Sequence, residues 1–289
     1  MLFYTHSGGA KKPKLIEVLT DAADLLGWVM AISVESRNKG TKNGMHVTNC
    51  LEHIFETLPV DEDRIHYTGN SGGAARAFLN TKLKKAYGVM PNVGYIPFGT
   101  EPSSKVAYVL GGGKDYNRYA SAIAASKFGK FGFHRMSPSG HGNSSPAEFY
   151  MDGMIWMHCQ YMKAKNPTRA EKADFEASMI NWLNELKETN SKRTYSTACI
   201  LRDVYKISGS NATLNDAIIS ELSADKNNIL YHEGIIDIDE LSEKTLQIPG
   251  GSKYGHFCKE AAKYAEKLKS KYSSIKEIND VLDAIISKT

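Results

Sequence analysis

Along the first 165 residues, short apolar runs alternate with stretches in which apolar positions recur every three or four residues. The runs predict strands near 2–5, 28–34, 64–69, 89–97, 105–110 and 131–136, and the amphipathic stretches predict helices near 13–26, 44–58, 72–85, 117–129 and 147–164. A parallel sheet covered by helices on both faces produces this alternation, so the predicted class is α/β. Pro91 and Pro97 limit the fourth strand to a short one, since proline has no N–H for a ladder. After Pro167 the pattern changes to charged, 3.6-period segments at 169–188, 192–207, 213–222 and 259–271, which predict helices. Two stretches interrupt them, 229–238 and 246–254, the second with a Gly250-Gly251 break. The chain thus divides into an α/β part over 1–165 and a mostly helical region over 166–289.

With 289 residues and 42% apolar content, the chain can bury one large core or a core with an appended region. A formal charge of +4 from 36 basic and 32 acidic residues, with the lysines dispersed, demands neither nucleic acid nor an anionic membrane as a partner. Cys50, Cys159, Cys199 and Cys258 lie far apart, and His158, His232 and His256 lack ligand spacing, so no metal site is predicted. Neither glycine cluster, at 111–113 or 250–251, has the spacing of a phosphate-binding loop. No apolar run approaches the ~20 residues that span a bilayer. The first apolar run begins at Leu2 and leads at once into a candidate functional loop, so earlier edge strands are expected to be missing, and the compartment stays open.

The segment Gly69-Asn70-Ser71-Gly72-Gly73 changes this picture most, because it joins the apolar run 64–68 to a helix. A serine on so sharp a turn has an exposed Oγ, and small neighbours let strand and helix approach, so the segment reads as a nucleophile elbow; a serine in such a glycine-rich turn also reads as a simple helix cap. Asp115 follows in VLGGGKDYN and His141 in SPSGHGN. Each of these residues, like His6 to Gly9, comes just after a predicted strand, and in a parallel sheet such loops gather along one edge. Asp115 also reads as a turn or cap residue; Asp152 and Glu101 compete with it as the acid, and His134 competes with His141. His6 reads as structural, its ring bonded to the backbone of its own loop.

The order Ser, Asp, His is that of the α/β-hydrolase fold. The segments HSGG, DEDRIHYTGNSGGAARAF, VLGGGKDYN and SPSGHG resemble those of α/β hydrolases of the polyhydroxybutyrate-depolymerase-like and dienelactone-hydrolase-like esterase branch, over about residues 1–165. The resemblance implies Ser71 as nucleophile, His141 as general base, Asp115 as the orienting acid, and the amides of Gly72 and Gly8 as the oxyanion hole. It departs at Ser7, where these families commonly have glycine, and this bears on the oxyanion loop. Ser7, Glu35, Tyr116 and Asn143 are candidates for the substrate wall, with Ser36, Asn117 and Trp156 behind them. The implied activity is cleavage of a small-molecule or polymer-derived carboxylic ester, without cofactor or metal. A peptidase of the same fold and a non-catalytic binding protein are the alternatives, and the helical region is a candidate surface for a protein partner or self-association.

Overall fold

The computed structural model describes residues 1–9, 14–38, 40–97, 99–101, 103–141, 145–249 and 253–287, the side chains of 14–16 and 18 apart. Six strands, β1 (Leu2–His6), β2 (Met30–Ser33), β3 (His66–Asn70), β4 (Gly88–Asn92), β5 (Val106–Gly112) and β6 (Gly132–Ser137), form one all-parallel sheet in the order β2-β1-β3-β4-β5-β6. The register pairs Leu2 with both Met30 and His66, His66 with Gly88, Gly88 with Val106, and Ala107 with Gly132. Each strand overlaps a predicted run, and β4 ends at Asn92, as short as its proline requires.

Five helices connect or follow these strands: α1 (Lys14–Leu26), α2 (Asn43–Thr57), α3 (Gly72–Asn80), α4 (Arg118–Ser126) and α5 (Ala147–Lys165). Alternate strand residues point to opposite faces. Leu2, Tyr4, Tyr108 and Leu110 pack with α1 and α5, whereas Phe3, Tyr67, Val89 and Val109 pack with Val47, Leu51, Phe78 and Ala124 of α2, α3 and α4. The chain leaves β1 toward one edge of the sheet and leaves β3 toward the other. Between them lies the switch point, where the diverging loops open a crevice at the carboxyl ends of the strands.

The remaining helices are α6 (Arg169–Lys187), α7 (Ser191–Ile200), which runs into a π-turn over Leu201–Tyr205, α8 (Gly209–Leu222), α9 (Lys226–Gln247), α10 (Tyr254–Lys271) and α11 (Lys276–Ile286). The predicted interruption at 229–238 lies inside α9. Its β-branched residues and Gly234 break the helical signal, but Gly234 is there for packing: a Cβ on it would sit 2.9 Å from Cγ1 of Ile278 on α11. Residues 250–252 of the second interruption lie outside the described residues.

Helices α6 to α11 share one apolar core with the sheet, continuous from Leu2 and Tyr4 through Tyr150 and Met154 to Leu183, Leu241, Phe257 and Leu282. A buried ionic network fastens the last strand to it. Arg135 grips Asp239 of α9 with Nε and Nη2, and its Nη1 donates to Asp152 at 3.1 Å; Arg193 of α7 donates to the same carboxylate at 3.0 Å. A second link runs through Arg118, whose buried Nη1 donates to the carbonyl of Gly113 at 2.9 Å and to that of Ile285 on α11 at 2.7 Å. Among the described residues no helix is long and apolar enough to cross a membrane.

Candidate active site

One residue makes the turn from β3 into α3. Ser71 has φ 54° and ψ −119°, a conformation that L residues rarely adopt. Backbone bonds on both sides hold it there: its N–H donates to Asn92 O at 3.0 Å, and its carbonyl accepts from Ala74 N at 2.9 Å. The glycines supply clearance for the packed backbones. A Cβ on Gly73 would fall on the Thr5 carbonyl of β1, and one on Gly69 on the Gly73 carbonyl.

The turn aims Ser71 Oγ at His141, with 2.7 Å between Oγ and Nε2. The other ring nitrogen, Nδ1, lies 3.0 Å from Asp115 Oδ1. Asp115 follows β5, its side chain is fully buried, and Oδ1 also accepts from Asn117 N at 3.0 Å. The turn role and the contact with histidine are therefore compatible in one carboxylate. Burial pushes the Asp115 pKa up, against the opposing pull of the Asn117 N–H and His141. Tyr116 lies over the imidazole, ring centroids 4.4 Å apart, with 62% of its own surface exposed.

Buried polar contacts, which spacing does not reveal, tie the His141 loop to the elbow. Ser137 Oγ is 2.9 Å from Ser145 Oγ, Ser145 donates to Asn92 Oδ1 at 2.8 Å, and Asn92 Nδ2 donates to Asn70 Oδ1 at 2.7 Å. Asn70 immediately precedes the turn residue, so the serine and the histidine share one scaffold. The rival residues are engaged elsewhere: His134 Nδ1 is 2.7 Å from Ser242 Oγ, Asp152 pairs with Arg135 and Arg193, and Glu101 is exposed.

The loop after β1 and the residues expected to line a wall make other contacts. The Gly8 N–H is turned into its own loop and donates to His6 Nδ1 at 3.0 Å, which is the structural role read for His6. The Ser7 carbonyl accepts from Asn38 N at 2.7 Å, and Gly8 bridges to Arg37, so this loop is zipped to the segment after β2. Glu35 lies 2.9 Å from His46 of α2, an ion-pairing distance. Ser36 is bonded to Ser33 at 2.6 Å. Trp156 packs on Tyr108 and Phe133, and Asn143 lies outside the described residues.

Gly72 begins α3, where a helix leaves its first N–H groups without intrahelical partners. Against it rests a residue that spacing did not single out. The carboxamide of Asn38 occupies the space a side chain at 72 would need. Among the described residues it has no hydrogen-bond partner. Nor, among them, could any group of three His, Cys, Asp or Glu hold a metal ion.

The sequence matches no known family model and no curated protein.

Proposed function

We propose that the chain is a serine hydrolase of the α/β-hydrolase fold that cleaves carboxylic esters through an acyl-enzyme. The observation that carries this reading is the successive contact of Ser71 Oγ with His141 at 2.7 Å and of His141 with buried Asp115 at 3.0 Å, built on a serine with positive φ. In the reaction, Ser71 Oγ attacks the ester carbonyl while its proton passes to His141 Nε2. Asp115 stabilises the imidazolium through Nδ1–H, and the ring then returns the proton to the departing alkoxide. Water attacks the acyl-enzyme by the same route in reverse. The negative oxygen needs two donors. With the Gly8 amide engaged by His6, they are the Gly72 amide and the Asn38 carboxamide.

A fluorophosphonate probe tests the reading. Covalent labelling of Ser71, located by peptide mass spectrometry, together with turnover of short p-nitrophenyl esters, is the expected result. A folded protein that neither labels nor turns over would leave the non-catalytic binding protein as the better reading, and release of peptide products alone would favour a peptidase. Asn38→Ala is expected to lower kcat by about 10²–10³-fold with KM little changed, as for loss of one oxyanion donor. An unchanged kcat would return that role to Gly8 after rotation of the His6 ring.

A further inference from the structure

A cleft of about 150 Å³ adjoins the nucleophile's helix, between the segment after β2 and the first turns of α3, with His6, Arg37, Asn38, Gly72 and Arg76 among its walls. Its two arginines come from separate elements. Arg76 is four residues beyond Gly72 on α3, and side chains on a helix lean toward its N-terminus. With glycine at 72 and 73, the guanidinium stem meets no side chain on the turn beneath it. Arg37 comes from the other flank and lies along the loop after β1, where a Cβ on Gly9 would be 3.5 Å from its Cγ. Among the described residues neither guanidinium has a carboxylate within ion-pairing distance. Among the described residues no acidic side chain lines the cleft, and the nearest in sequence, Glu35, lies 2.9 Å from His46. Arg76 is half-buried, and desolvation lowers its pKa, the mark of a cation partly withdrawn from water with no counter-charge.

We propose that this cleft recognises a carboxylate carried by the substrate, so that the preferred esters are anionic: half-esters of dicarboxylic acids, or esters ending in a free acid. The proposal rests on the hydrolase reading for its substrate, and on the cleft alone for its anion. A planar carboxylate matches the fork of either guanidinium, and binding it neutralises Arg76 where water is scarce. The anchored group would lie beside Gly72, whose amide faces the developing oxyanion, and anchoring a remote group there orients the scissile carbonyl.

The test compares mono-p-nitrophenyl glutarate with p-nitrophenyl valerate, an uncharged ester of the same acyl length. The expected ratio of kcat/KM is about 10–100 in favour of the anionic ester, the worth of one charge-assisted hydrogen-bond pair, and it falls toward unity in Arg76→Gln and Arg37→Gln. Arg37 is exposed, so its variant keeps the test sound should Arg76→Gln fail to fold. A ratio near one in the wild type, or one unmoved by both substitutions, overturns the proposal. Calorimetric binding of glutarate and of inorganic phosphate to the wild type and Arg76→Gln is read independently of turnover. Glutarate binding that is lost in the variant, with no ester turnover, keeps the cleft and rejects the hydrolase. Turnover of neutral esters with no glutarate binding does the reverse, and phosphate binding tighter than glutarate overturns the choice of carboxylate.

Discussion

Ser71→Gly is expected to abolish ester turnover, by about 10⁶-fold in kcat, while making the protein more stable. The loss follows from removal of Oγ, the one protein atom that bonds to the acyl group in the proposed mechanism. The gain follows from the backbone. At φ 54° Ser71 holds a conformation costing about 1–3 kcal/mol for a residue with a Cβ, and glycine adopts it freely. Against this stands the added freedom of glycine in the unfolded chain, about 0.4–1 kcal/mol, so a net rise of roughly 1 kcal/mol is expected. Ser71→Ala separates the two effects, since it loses the same activity but keeps the strained turn. Thermal unfolding of the three proteins should therefore rank glycine above serine and alanine. Turnover retained by either variant would remove Ser71 from the chemistry, and a destabilised glycine variant would show that the turn stores no strain.

Asp115→Asn is expected to lower kcat by about 10³–10⁴-fold, because an amide neither fixes the Nδ1–H form of His141 nor stabilises its positive charge. Its effect on stability should depend on pH with a definite sign. The folded-state pKa of Asp115 is raised, so the native protein holds this proton more tightly than the unfolded chain. Stability from this group is then fully present below the ordinary carboxylate pKa near 3.9 and declines as pH climbs through the raised value. The asparagine variant lacks that decline. Urea midpoints measured across this range should show the variant gaining on the wild type as pH increases. A variant that instead loses ground to the wild type as pH increases would mean that bonds to Asn117 and His141 outweigh burial and depress the pKa.

The sheet was legible because each strand falls in or beside a short run rich in apolar or aromatic residues and the connecting helices carry apolar faces, and both signals survive in single stretches of sequence. The elbow was legible for a related reason: Gly69, Ser71 and Gly73 are consecutive enough that a local steric demand appears as a local pattern. Asp115 and His141 could be found through their loops, and the structure brings both to Ser71. The loop after β1 could not be read so. Whether the Gly8 amide faces outward or folds back onto His6 is decided by the backbone conformation of the loop, which composition does not report. Arg37, Asn38 and Arg76 were passed over because their convergence depends on how β2 sits beside β1, a relation between distant segments. In the helical region Gly234 misleads for the same reason, since its partner Ile278 is 44 residues away (278 − 234).

The guanidinium of Arg118 carries a consequence for the order of events in the cell. It braces Gly113, two residues from Asp115, by sharing its bonds with the Ile285 carbonyl. Synthesis proceeds from the amino end, so Ser71, Asp115 and His141 have all been translated at least 144 residues before Ile285 (285 − 141). For that interval a nascent chain holds Ser71, Asp115 and His141 but not the carbonyl that shares Arg118 with Gly113. On the proposed mechanism, full competence is therefore expected only late in translation.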